Sequence, residues 1–119
     1  KATHEYGAGT ATYYLTTSKS LEVVMDLLAD MREDCEKMAA GSLHELMRAW
    51  EIEHRIWTVE SHLRHIQYRK ETRYPGFYYQ ADYPGQDDEN WFCFTNSKFD
   101  PKTKEWDVFK KDYIKIIPD

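Results

Sequence analysis

One helical run constrains this chain more than any other feature. From Leu43 to about Thr72 apolar side chains recur at helical spacing with no internal proline or glycine, a run longer than most globular helices. Its apolar residues occupy two faces: Leu43, Leu46, Met47, Trp50 and Trp57 on one, Ile52, Ile56, Val59, Leu63 and Ile66 on the other. A helix that is apolar on two sides is sandwiched between neighbours. Ser42 with Glu45 reads as its capping box, hydroxyl and carboxylate each taking a free backbone N–H. Upstream, Leu21, Val24, Leu28, Met31, Cys35 and Met38 alternate three- and four-residue steps. They predict a second amphipathic helix with a narrow seam, N-capped by Ser20, with Glu22 in its first turn and Gly41 as its stop. That helix can cover one side of the long one. The other side calls for a partner outside the chain.

The flanks read differently. Residues 1–19 hold Gly7, Gly9, Tyr13, Tyr14 and a Ser/Thr cluster, and are expected to form an extended entry arm. Tyr74-Pro75-Gly76 is expected to end the long helix, since proline disfavours helix in the residue before it. An aromatic, acidic loop should follow over 77–90, turning at Pro84-Gly85. Trp91–Lys98 and Lys104–Lys110, separated by Asp100-Pro101-Lys102-Thr103, predict a β-hairpin, and Tyr113–Ile117 a short further strand. The expected fold is therefore mainly α: a helical bundle of two to three helices, one long, with a C-terminal aromatic loop and a small β-hairpin. The zones are 1–19, 20–73 and 74–119 of one domain.

Composition removes several function classes. The 119 residues carry 16 Lys+Arg against 21 Asp+Glu, a formal charge of -5, whereas general nucleic-acid binding needs a basic footprint. No run approaches the ~18 apolar residues of a membrane span. Two cysteines, Cys35 and Cys93, are too few for an all-cysteine zinc site or an iron–sulfur cluster. The start at Lys1, with no methionine and no signal peptide, leads us to expect a fragment or a processed chain. Twelve of the eighteen aromatics lie at or after Tyr74, more than a loop and a hairpin would bury alone, so packing onto a separate body is expected.

Chemical motifs are weak. Gly7-Ala8-Gly9-Thr10-Ala11-Thr12 resembles a dinucleotide loop but lacks the third glycine, a preceding strand and a following helix. His44-Glu45 has Arg48 where a zinc helix needs its second histidine. Glu51 and His54 form half of a di-iron pattern whose other ligands are missing. His62 and His65 read as a solvated or hydrogen-bonded pair, and Cys35 as a buried, inert thiol. Cys93, between Phe92 and Phe94, has no activating neighbour in the sequence. More informative is charge order. Arg64, Arg69, Lys70 and Arg73 make the helix end basic, and Asp82, Asp87, Asp88 and Glu89 follow it. The loop should fold back and pair with the helix end.

The same stretch carries a family resemblance. Tyr68-Arg69-Lys70-Glu71-Thr72-Arg73, then Asp82-Tyr83-Pro84 and Asp87-Asp88-Glu89-Asn90-Trp91, resemble in order and spacing the end of the long C-terminal helix, and the segment after it, in fumarate reductase and succinate dehydrogenase flavoproteins. Glu71-Thr72-Arg73-Tyr74-Pro75-Gly76-Phe77-Tyr78-Tyr79 looks like one branch of that superfamily, the alpha subunits of dissimilatory adenylylsulfate reductases. His44–Glu51, the hairpin residues Asn96, Ser97, Asp100 and Pro101, and the early Glu5–Gly9 and Tyr13-Tyr14 extend the resemblance over nearly the whole chain. Gln80 departs from it, standing where the family usually has arginine.

The resemblance implies a cytoplasmic oxidoreductase subunit that binds FAD in an upstream flavin domain. It would take electrons from a partner beta subunit holding iron–sulfur clusters, and convert adenylylsulfate to sulfite and AMP. It implies no catalytic, cofactor or metal residue in this chain, which alone should be colourless and inactive. Arg69, Glu71, Arg73, Tyr79, Asp82, Asp87, Asp88, Asn90 and Trp91 are the motif residues expected to serve domain docking. Trp91 would anchor an interface or, failing that, an internal core. A fumarate reductase-like flavoprotein and a free-standing helical interaction module are the competing readings.

Overall fold

The structure, a computed structural model, describes residues 2–73, 78–114 and 116–117. Its body is elongated, 60 × 31 × 24 Å, because two antiparallel helices form its axis. The elements in order are α1 (Ala2–Glu5), a 3-10 turn (Thr10–Thr12), β1 (Leu15–Thr16), α2 (Ser18–Glu36), α3 (Leu43–Tyr68), β2 (Tyr79–Gln80), α4 (Asp88–Trp91), β3 (Phe94–Asp100) and β4 (Glu105–Lys111). The mainly helical expectation holds, and two short strands, β1 and β2, join the expected hairpin.

The α2 seam packs as its spacing predicts. Leu21, Val24 and Leu28 are buried against Ile56 and Leu63 of α3, flanked by Tyr6, Met25, Val59 and Ile66. Each such side chain contributes about 1.5–3 kcal/mol by leaving water. The helix boundaries differ from expectation. Thr17, not Ser20, caps α2: Thr17 Oγ1 accepts from the Ser20 N–H while the Ser20 hydroxyl accepts from the Thr17 N–H. The hydroxyl three residues further on thus takes the place usually held by a carboxylate. α2 ends at Glu36, and Gly41 belongs to the next cap instead. Ser42 accepts from the Glu45 N–H at 3.2 Å, but the Glu45 carboxylate takes the Gly41 N–H at 2.7 Å, one residue outside the expected box.

The two faces of α3 are covered unequally. Ile56 and Leu63 face α2. On the other side Trp57 packs edge-on to Phe99 of β3, with centroids 4.5 Å apart, and lies near Trp106 of β4. Leu43, Met47 and Trp50, on the first turns of that side, are 82%, 61% and 56% exposed.

The hairpin is present, β3 and β4 pairing antiparallel from Phe94↔Lys111 to Asp100↔Glu105. It begins at Phe94 rather than Trp91, which belongs to α4. Asp100 organises its loop, its carboxylate accepting from the Lys102 N–H and its carbonyl from the Lys104 N–H. No strand forms over Tyr113, Ile114, Ile116 and Ile117. The expected turn at Tyr74-Pro75-Gly76 lies outside the described residues.

The entry arm is not extended. It makes the turn α1, a 3-10 turn and β1, which pairs in parallel with β2 through Leu15↔Tyr79 and Thr16↔Gln80. Gly7 lets the arm close on α3. A Cβ there would meet Leu63 Cδ2 at 2.5 Å, whereas one on Gly85 would meet nothing within 4 Å. Gly7→Ala should therefore lower stability by about 1–3 kcal/mol, the range for overpacking, with Gly85→Ala near neutral. Thermal unfolding of the two variants checks this, and equal melting temperatures would refute the close approach.

A buried carboxylate knot as the candidate functional site

The long helix stops at Tyr68, four residues before its sequence pattern does. Arg69 turns into extended backbone (φ -83°, ψ 107°), and the basic residues expected to finish a helix serve a loop instead. Glu71 is fully buried. Each of its oxygens accepts two hydrogen bonds. Oε1 accepts from Arg69 Nη1 and from Arg73 Nε at 2.8 Å. Oε2 accepts from Arg73 Nη2 at 3.0 Å and from the Asp87 N–H at 3.0 Å. Burial pushes this carboxyl up, but the bonds from Arg73, the Asp87 backbone and Arg69 outweigh it and hold it below the usual carboxylate range.

Arg69 also ties the helix end to the hairpin root. It donates to the carbonyls of Trp91 (3.0 Å) and Cys93 (2.7 Å) and to Thr95 Oγ1 (3.2 Å). Arg73 reaches Asp88 at 2.9 Å. Asp87 caps α4, its carboxylate taking the Asn90 N–H and side-chain amide. Lys110 Nζ donates to the Asn90 carbonyl and lies 3.8 Å from the Trp91 ring centroid. Trp91 is 8% exposed and edge-to-face with Tyr68. Its ring is an internal anchor, turned toward α3 rather than toward an outside body.

Of the nine motif residues, Arg69, Glu71, Arg73, Asp87, Asp88, Asn90 and Trp91 thus meet in one knot. The expected folding-back of the acidic loop is present through Arg73–Asp88, although Glu71 rather than the loop takes most of the charge. Asp82 and Tyr79 lie apart, at the β1–β2 ladder. The Asp82 carboxylate accepts from the Ser18 N–H at 2.6 Å, which with its bond to the Ser18 side chain lowers its pKa. The Tyr79 N–H donates to the Tyr14 carbonyl at 2.7 Å. Arg64 serves a different carboxylate, Glu60.

Several organising residues escaped the sequence reading. Buried Thr72 accepts the Gln80 N–H and donates to the Tyr83 carbonyl. Gln80 is 2% exposed, and its side-chain oxygen accepts the Asp82 N–H. At this departure from the family pattern, a neutral amide completes the turn. Glu60, 1% exposed, pairs with Arg64 one turn on and with Arg32 of α2. The Arg32 guanidinium also lies 4.2 Å from the Trp57 ring centroid. The Glu60–Arg64 spacing was visible in the sequence; the Arg32 contact spans two helices and was not.

Chemically the knot is a fastener. With four donors on its two oxygens, Glu71 has no lone pair left to take a substrate proton. The glycine loop does not fit a flavin either. It follows a helical turn rather than a strand, Gly7 faces Leu63, and a Cβ on Gly9 would meet His4 Cα at 2.4 Å. Its glycines are used for close packing. His62, beside the same loop, is held below the usual histidine range by burial and by His65.

Removing one partner from a buried ionic knot leaves uncompensated charge, so Glu71→Gln should cost about 3–5 kcal/mol at neutral pH. The sign with pH follows from the lowered carboxyl. Its contribution is complete above the unfolded carboxylate value, about 4.3. It is lost as pH falls through the lower folded value. Melting curves for wild type and E71Q should therefore converge in acid; a pH-independent gap would contradict an ionised Glu71. Trp91→Ala should cost about 3–5 kcal/mol, as for other large core truncations. The check is denaturant unfolding.

Comparison with known proteins places this geometry. The family described as Fumarate reductase flavoprotein C-term matches residues 11–116. The adenylylsulfate reductase alpha subunit of Megalodesulfovibrio gigas is 53% identical over 118 residues, 99% of this chain and 18% of that protein. The adenylylsulfate reductase structure from Archaeoglobus fulgidus superposes with a TM-score of 0.93 at 52% identity, over 98% of this chain and 18% of that one. The E. coli quinol fumarate reductase FrdA E245Q structure shares the fold, with a TM-score of 0.82 at 20% identity, over 98% of this chain and 20% of that one. The chain spans about a fifth of the length of these relatives.

Proposed function

The chain belongs to the fumarate reductase flavoprotein C-terminal family, and on that footing we propose that it is the C-terminal domain of an adenylylsulfate reductase alpha subunit. The supporting observation is the contrast in similarity. More than half of its residues are identical to those of an adenylylsulfate reductase alpha subunit, against a fifth for the quinol fumarate reductase. The full subunit would bind FAD outside this chain and draw electrons from an iron–sulfur beta subunit. It would cleave adenylylsulfate with two electrons to sulfite and AMP.

Within that subunit the domain's role is docking, with the knot as its internal frame. Arg69, Glu71, Arg73, Asp87, Asp88, Asn90 and Trp91 hold α4 and the hairpin root in place, while Asp82 and Tyr79 hold the entry arm. They thereby present two apolar surfaces. One is the α3 stripe of Leu43, Met47 and Trp50; the other is Phe92, Phe94 and Phe109 at the hairpin, 55%, 60% and 39% exposed. The flavin domain and the beta subunit are the partners for such surfaces. Among the described residues no helix is long and apolar enough to cross a membrane. Both cysteines are free thiols, as suits a reducing, cytoplasmic setting.

The test is turnover by the full subunit purified with its partner. With a reduced dye it should release sulfite and AMP from adenylylsulfate and leave fumarate unreduced. Fumarate reduction without sulfite release would overturn the assignment in favour of a fumarate reductase.

A further inference from the structure

A groove runs between the second half of α3 and the inner face of β4. Arg64 and Tyr68 of α3, with Lys70 just beyond its end, line one wall. Trp106, Val108 and Lys110 line the other, around a cavity of about 660 Å³. Strand alternation makes the second wall: these three side chains share one face of β4, the face that brings Trp106 near Trp57 of α3. Asp107, the acidic residue that borders the groove, stands on the opposite face, across from Lys98.

The charges around this groove do not cancel. Arg69, Arg73 and Lys110 face three carboxylates of the knot, Glu71, Asp87 and Asp88, so the knot is even. Arg32 and Arg64 instead share one carboxylate, Glu60. The Arg32 guanidinium is held below the usual arginine range by burial and by the Arg64 charge beside it. Lys70 is exposed and makes no salt bridge among the described residues. Arg64 and Lys70 thus bring unmatched positive charge to one groove, in a chain whose net charge is -5. The cations are also held in place. Glu60 takes Arg64 through Nε and Nη2, leaving Nη1 without a bond among the described residues. Lys110 Nζ is fixed by the Asn90 carbonyl and the Trp91 ring. The β4 wall adds an unmet donor, the buried indole N–H of Trp106. The groove is short of acceptors.

We propose that this groove binds a phosphate-type oxoanion, free or carried on a nucleotide. Such a group brings about 1.5–2 negative charges at pH 7 and several acceptor oxygens. It matches one guanidinium and two ammonium groups better than a single carboxylate does. Arg64 would meet it with directed N–H bonds, and Lys70 and Lys110 as point charges. The cavity is larger than one phosphate, and beyond the cations its walls are aromatic. Tyr68 and Trp106 offer ring surface to a nucleotide base. The inference goes beyond the assigned reaction, since it depends on the charges of the groove and not on what the full subunit catalyses.

Lysine labelling in the full subunit, purified with its beta partner, tests this. The protein is treated with N-hydroxysuccinimidyl acetate at constant ionic strength, chloride balancing the added phosphate, and acetylation is read by peptide mass spectrometry. For a Kd of about 1 mM, about 10 mM phosphate should slow acetylation of Lys70 and Lys110 roughly tenfold. Lys98 and Lys102 of the hairpin, both exposed, should keep their rates. Lys70→Gln, at an exposed position, should weaken the protection of Lys110 by at least roughly threefold; undiminished protection would overturn the proposal. AMP and adenosine separate the sources. Protection by AMP at roughly a tenth of the phosphate concentration assigns the oxoanion to a nucleotide, and an equal or higher requirement assigns the free ion. Protection by adenosine alone would overturn a site built on charge. So would unchanged rates, or equal slowing at Lys98. Failure of Lys70 and Lys110 to label before phosphate is added would overturn it too, because the groove would then be covered. The readout is labelling and not turnover, so an error in the assigned reaction leaves it intact.

Discussion

A carboxylate with no exposed surface fixes much of this domain. Glu71 cannot stay ionised in the interior without compensation, and its compensation comes from three directions: Arg69 at the helix end, Arg73 two residues on, and the backbone of Asp87 across the loop. Satisfying it requires α3 to end at Tyr68, the acidic loop to return to the helix, and α4 to start where its first N–H groups face Glu71 and Asp87. Arg69 then carries the constraint to residues more than twenty positions away, holding the Trp91 and Cys93 carbonyls. The hairpin's root is thus set by hydrogen bonds to one guanidinium. Buried ionic groups of this kind add little net stability compared with an apolar replacement; their effect here is to leave one arrangement in which every charge is met.

Glu60 repeats the device on the helical axis. It lies between Arg32 and Arg64, and Arg32 covers Trp57, which packs edge-on to Phe99 of the hairpin. The apolar core between α2 and α3 is narrow, with Leu21, Val24, Leu28, Ile56 and Leu63 its buried members. A narrow seam tolerates sliding of one helix along the other. The Arg32–Glu60 ion pair, whose carboxylate is buried, penalises such a slide in a way that leucine contacts do not, because separation would leave that charge short of a partner.

How much of this could be read from the sequence depended on range. Both long helices, their apolar seam and the hairpin follow from local periodicity, and the basic-then-acidic order around Glu71 showed that loop and helix end would meet. What was hidden was non-local. The β1–β2 ladder joins two dipeptides 64 residues apart and has no periodic signal of its own. Glu71 looked like one more charge in a polar helix end, since nothing in the sequence distinguishes a carboxylate facing water from one facing two arginines. For the same reason the helical pattern of the sequence runs on to Thr72, past the helix end at Tyr68. The cap at Thr17 was missed because Ser20, three residues later, is an equally good N-cap by type.

The two-faced helix is the place where sequence and structure bear on each other most directly. Periodicity alone assigns one face to α2 and the other to something beyond the chain. The structure divides the second face along its length instead. Near Trp57 the hairpin covers it, and toward Leu43 nothing in the described residues does. Met31 of α2 and Met38, two residues beyond its end, are each 38% exposed. One uncovered apolar patch therefore lies at the helical tip of a 60 Å body, remote from the Glu71 knot, and a second, of Phe92, Phe94 and Phe109, lies at the hairpin beside the knot. An exposed apolar tip of this kind is costly in water and marks an interaction surface.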